Sequence, residues 1–130
     1  MKKLIIALTS TLLMSTSVLA NEYQIDHEGA HASINFKIKH LGYSWLTGRF
    51  NGFQGKINYD AAQPEKASVS VKIDMKSVDS NHALRDKHLR SDDILDVEKY
   101  PQATFESSKV KDLGQGKLEI QGMLTLHGKS

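Results

Sequence analysis

The sequence predicts a mainly antiparallel β domain that carries a short helical insertion. Three observations predict it. Apolar and polar residues alternate with period two in four segments, turn residues separate those segments, and one charge-rich stretch between them lacks the alternation. With no cysteine anywhere, the domain has neither a disulfide nor a thiolate metal site, so its stability must come from packing.

The first alternating segment is His31 to His40, where Ala32, Ile34, Phe36 and Ile38 share one face and Ser33, Asn35, Lys37 and Lys39 share the other. A second strand sets Phe53, Gly55, Ile57 and Tyr59 against Gln54, Lys56 and Asn58, and Gly48, Gly52 and Gly55 mark it as bent or bulged. After a turn around Ala61 to Lys66, Ala67, Val69, Val71 and Ile73 oppose Ser68, Ser70 and Lys72 in the most regular strand. From Ser77 to Pro101 the pattern changes to helix formers between capping residues. Asp79 or Ser80 is expected to cap one helix that runs through Arg90. Ser91 or Asp92 can cap another, which Pro101 would end by Tyr100, so one or two short surface helices are expected. The strand "QATFESSKVK", the turn "DLGQG" and a last strand "KLEIQGMLTL" follow, with Leu118, Ile120, Leu124 and Leu126 on one face.

Ahead of this domain, Met1, Lys2 and Lys3 precede the apolar run "LIIALTSTLLM", with small residues at Val18 and Ala20. This is the pattern of a cleavable secretory signal, and it is shorter than the roughly 20 residues a spanning helix requires. Residues 1–20 are thus expected to leave on export, and residues 21–130 to form one soluble domain. Loss of Lys2 and Lys3 brings the 17 basic residues to 15, equal to the 15 acidic ones, which gives no basis for nucleic-acid binding.

Four blocks then carry a family resemblance: "YQIDHEGAHASINFKIKHLG", "GRFNGFQGKINYD", "NHALRDKHLRSDDILDVEKYPQATF" and "GMLTLHG". Over Tyr23 to about Gly128 the chain resembles the YceI-like family of bacterial exported polyisoprenoid-binding proteins. The third block is the most specific. The resemblance implies a lipocalin-like antiparallel barrel in the periplasm, with a long isoprenoid chain such as a quinone tail or a polyprenyl phosphate in its interior. The family continues past "LTLHG" into further strands, whereas this chain reads Lys129 and Ser130, so the barrel is expected to be incomplete or open.

By pattern alone the inward residues would be ordinary core; the resemblance makes them the lining of an apolar tunnel. The candidates are Ile34, Phe36, Ile38, Phe53, Ile57, Val69, Val71, Ile73 and Phe105, with Leu41, Trp45 and Phe50 at a mouth. Arg85, His88 and Arg90 are candidate contacts for a pyrophosphate or quinone head because of their charge and donors. Asp86 and Arg90, four apart, are expected to pair on the helix surface, and Asp92 and Asp93 to be first-turn charges.

The six histidines are scattered and lack the spacing of a zinc pair, so neither a metal nor a redox cofactor is expected. No nucleophile elbow, phosphate-binding glycine loop or carboxylate pair supports an enzyme. Lys37, Lys39, Lys56 and Lys72 on the face opposite the aliphatic one argue against an outer-membrane barrel, whose outward face must be apolar. The expected partner is an isoprenoid lipid, with no stable membrane insertion. The alternative is a non-binding interaction module whose last strand, Lys117 to Leu126, pairs with another chain, for instance as a homodimer.

Overall fold

A computed structural model describes residues 21–29 and 31–130; the expected leader, residues 1–20, lies outside the described residues. Eight strands and one helix occur among them: β1 (Asn21–Gln24), β2 (Ile34–His40), β3 (Ser44–Phe50), β4 (Phe53–Tyr59), β5 (Ser68–Asp74), β6 (Val78–Asp79), α1 (Ala83–Arg90), β7 (Gln102–Gly114) and β8 (Lys117–Thr125). Every pairing is antiparallel. A five-stranded sheet has the order β1, β4, β5, β7, β8, and a three-stranded sheet the order β2, β3, β6; the two are not closed into a barrel.

The chain passes between the sheets at two adjacent places. At Asn51–Gly52 it leaves β3 for β4, and at Met75–Ser77 a single 3-10 turn carries β5 into β6. The crossings are tied together by Asp74 N donating to Gly52 O at 2.8 Å and Asn51 N donating to Ser77 O at 3.1 Å. Gly52 keeps that corner close, because a Cβ would come within 3.2 Å of the side chains of both Asp74 and Ser77, which would have to shift. This corner also holds the packed core. Met75, Val97 and Ala103 are only 2–3% exposed, with Phe50, Ile73 and Leu95 packed against them.

Register assigns the faces. Across β2 and β3, Ile34 pairs Phe50, Phe36 pairs Gly48 and Ile38 pairs Leu46, so the apolar residues align on one side. In the larger sheet Phe53 pairs Ile73, Ile57 pairs Val69, Val71 pairs Phe105, and Phe105 pairs Leu124. A bulge between Ser107 and Lys109 shifts the register by one residue and keeps Val110, opposite Ile120, on that same side. The other face is polar: Lys56 Nζ lies 2.9 Å from Glu22 and Ser70 Oγ donates to Glu106 at 2.7 Å.

Alternation located β2, β4, β5, β7 and β8, but β1, β3 and β6 were not expected. β1 is entirely exposed and polar apart from Tyr23, and β6 has two residues. β3 puts Trp45 on its polar face and Gly48 on its apolar face, which erases the hydropathy contrast. The helix capping differs as well. The cap is His82, whose Nδ1 accepts from Arg85 N at 3.2 Å, and not Asp79 or Ser80. The segment after α1 is a series of turns without a second helix. Asp96, at φ 44°, takes a left-handed conformation incompatible with continued helix, while its carbonyl accepts from Lys99 N and Tyr100 N. Asp86 does not pair with Arg90 on the surface: it is buried and accepts from Ser80 N at 2.8 Å and Ser80 Oγ at 2.5 Å. Arg90 instead directs Nη1 to Val78 O at 3.3 Å.

Candidate functional site

The apolar sides of the two sheets meet at the corner, where Phe50 and Ile73 pack on the core, and beyond it they are unevenly covered. Phe53, at the corner, is 8% exposed and Val110, far along β7, is 7%, whereas Ile38 is 53%, Leu124 51% and Ile120 39% exposed. Two aromatic rings thicken these sides without added backbone. Phe36 occupies the place a Cβ on Gly48 would take, and Phe105 does the same over Gly122. Phe36 also stacks, tilted, on Phe50 at 5.6 Å between centroids. The glycines thus let large side chains lie flat along the sheet.

Register within each sheet puts Ile34, Phe36 and Ile38 on the apolar side of the smaller sheet, and Phe53, Ile57, Val69, Val71, Ile73 and Phe105 on that of the larger one. It does not gather Leu41, Trp45 and Phe50 at one mouth. Phe50 packs against the corner core, Leu41 sits in the turn between β2 and β3, and Trp45 lies on the polar face with Lys37 Nζ 4.3 Å from its ring centroid. Trp45 and Phe50 are five residues apart along one strand, about 17 Å. Leu46, Val110, Ile120 and Leu124 join these apolar sides although none was a candidate. The alternation of Ile120 and Leu124 was visible in the sequence; what was missing was the sheet order that sets β8 beside β7.

An open groove of about 1050 Å³ runs beside β2 and β3; Phe36, Leu46 and Trp45 share its lining with Lys37, Arg49 and Arg85. Arg85 is held there by Nε donating to Ser80 Oγ at 2.7 Å and Nη2 donating to Ser80 O at 2.6 Å. The other two head-group candidates lie elsewhere. Arg90 lines a separate hollow of about 530 Å³ with Lys76 and Lys87, and His88 Nε2 faces Asp93 at 3.6 Å.

Hydrogen bonds hold three carboxyls below the usual carboxylate range. Ser80's hydroxyl does so for Asp86, assisted by the Ser80 amide; His31 and then the Gly29 amide act on Asp26; the Asn81 amide and then the Asn51 side chain act on Asp79. The remaining histidines are dispersed: His27 stacks on Phe53 at 5.4 Å, His127 on Tyr100 at 4.6 Å, and His40 borders the groove. Among the described residues no three His, Cys, Asp or Glu side chains converge as a metal site, and no helix is long and apolar enough to cross a membrane.

A YceI-like domain matches residues 23–130, which include both sheets and the helix. The chain belongs to the YceI-like family. It is 53% identical over 132 residues to a UPF0312 protein of Vibrio cholerae, a match covering 100% of this chain and 70% of that relative. Among solved structures, the crystal structure of Burkholderia cenocepacia BcnA is similar with a TM-score of 0.69 and 28% identity, over 75% of this chain and 60% of that one. A Campylobacter jejuni YceI crystal structure is similar with a TM-score of 0.62 and 36% identity, over 83% and 62% respectively. The chain thus spans about three-fifths of the length of these solved YceI-like structures.

Proposed function

We propose that the protein binds or sequesters a long-chain isoprenoid lipid, a polyprenyl or quinone tail, and does so in the periplasm after export. The ligand's hydrocarbon would lie along the apolar face shared by the two sheets. One observation carries this reading: the apolar sides of the sheets are not consumed by packing, since Ile38, Ile120 and Leu124 stay 39–53% exposed while Met75, Val97 and Ala103 form the buried core at the corner. Membership of the YceI-like family supports it further.

Apolar burial supplies the affinity. Each enclosed methylene contributes roughly 0.8 kcal/mol, so a five-carbon isoprene unit contributes on the order of 4 kcal/mol when fully enclosed. Association costs about 4 to 15 kcal/mol, so roughly three to five enclosed units give useful binding, and about twice as many if each is half-covered. Only a long tail satisfies the second case, which is why an open face selects length. No step needs a metal or a redox cofactor, and the protein's task is binding without catalysis.

The test is to extract the purified protein with organic solvent and identify lipids by mass spectrometry. A stoichiometric isoprenoid is expected; recovery of only bulk phospholipid would refute the proposal. A second reading is favoured by the outer edge of β8, which pairs with no strand among the described residues. Edge pairing between two copies predicts a lipid-free dimer in light scattering, whereas a carrier copurifies with its lipid.

A further inference from the structure

The hairpin formed by β2 and β3 combines features that neither the fold nor the apolar face requires. Its turn places Leu41 at φ 50° and Gly42 at φ 78°, with Tyr43 N donating to His40 O at 3.1 Å. Glycine and asparagine suit such left-handed positions, and any residue with a larger side chain is uncommon there. Leu41 is nevertheless the residue present, and it is 77% exposed. Tyr43 is 93% exposed and Trp45 56%, so three large apolar or aromatic side chains within five positions meet solvent at one tip. Scattered exposed apolar residues need no explanation, but a cluster does.

The charge around the tip has one sign. Between Glu28 and Asp60 the sequence has no acidic residue, and the basic residues beside the tip are Lys37 and Lys39, since Arg49 and Lys56 lie away from it and pair with Asp79 and Glu22. Lys37 and Lys39 share the polar face of β2 with Trp45 opposite, and neither joins an ion pair among the described residues. The long stem of Lys37 reaches over the Trp45 ring, leaving its ammonium beside the indole.

We infer that the tip of this hairpin is a membrane-docking element: Leu41, Tyr43 and Trp45 enter the interface of an anionic phospholipid bilayer while Lys37 and Lys39 bind its head groups. Trp and Tyr favour that interface because their rings are apolar and their N–H or O–H groups remain hydrated. Adsorption of this kind is reversible and crosses nothing. A second copy of the chain is a poorer occupant, since a symmetric contact would set Lys37 and Lys39 against like charges, whereas acidic lipids complement them. Because Ile38 and Leu46 begin the apolar face directly behind the tip, docking would bring the open end of that face to the lipid surface. The inference stands on the hairpin alone and does not require the carrier reading.

Trp45 is the single tryptophan, so its emission reports the contact directly. With equimolar phosphatidylglycerol and phosphatidylcholine vesicles, blue-shifted emission and quenching by brominated acyl chains are expected, and neither with phosphatidylcholine alone. Leu41→Asn suits the left-handed turn and leaves the fold intact, yet it should weaken binding roughly tenfold through lost apolar transfer. Lys37→Gln with Lys39→Gln should weaken it roughly 25-fold, about fivefold per charge, with a matching loss in high salt. All variants carry the same leader, so differences arise from the hairpin. Unquenched Trp45 on anionic vesicles, or binding unchanged in both variants, overturns the inference. Solvent-extracted lipid, measured separately, reports on the carrier proposal and can fail or hold independently.

Discussion

Replacing Ile38 and Met75 in parallel separates a ligand-binding face from a solid core. Met75 is 2% exposed and packs with Val97 and Ala103, so Met75→Ala should cost about 2 to 5 kcal/mol through lost transfer energy and a residual cavity. Ile38 is 53% exposed, so it keeps roughly half of the ~1.5 to 3 kcal/mol that full burial gives, and Ile38→Ser should cost about 1 kcal/mol. At about 4 to 8 °C per kcal/mol, thermal melts followed by circular dichroism should fall by roughly 8 to 40 °C for the first and about 4 to 8 °C for the second. Lipid recovery should reverse the order, with Ile38→Ser losing bound isoprenoid under conditions where Met75→Ala remains folded and loaded. Equal destabilisation by the two substitutions would refute the reasoning, because it would mean Ile38 is core and the open face an illusion.

Three other outcomes follow from the geometry. Asp86→Ala should lower stability by about 1 to 3 kcal/mol in urea titrations, since it strands the buried Ser80 donors. Because the Ser80 bonds depress the Asp86 carboxyl, its contribution is fully present above the usual aspartate value of about 3.9 and fades as pH falls through the lower folded value. Asp86→Asn should therefore flatten the acid limb of the stability curve, which a pH series of melts will read. Gly48→Ala should cost about 1 to 3 kcal/mol, because the new methyl meets the Phe36 ring and comes within 2.9 Å of the Asp79 carbonyl; Phe36→Leu in the same chain should recover part of that loss. Arg85→Ala removes two bonds to Ser80 and should loosen the start of α1, seen as faster amide exchange at Asn81 to Asp86.

The legible part of the fold was the part that alternates. β2, β4, β5 and β8 each alternate aliphatic residues with mostly polar ones, and that alternation was enough to place the strands. The same rule failed on β3, where Trp45 faces the polar side under Lys37, a placement that hydropathy alone assigns the wrong way. The cap of α1 was misplaced for a related reason: Ser80 has the right hydroxyl, but that hydroxyl is already engaged by Asp86 and Arg85, which leaves His82 to accept from the first turn. Such competition between equally able donors and acceptors is settled by position in space.

The sequence by itself determined which residues share a side of each alternating strand, because period-two patterning needs no knowledge of neighbours. It also determined family membership, through blocks whose residue order resists chance. Only the tertiary structure decided that β8 lies beside β7, that two crossings meet at Gly52, and that the packed core gathers at that corner while Ile38, Ile120 and Leu124 stay exposed. Strand order and corner geometry are set by long-range hydrogen bonds and by the volume available between sheets. Neither is encoded in any local stretch of residues.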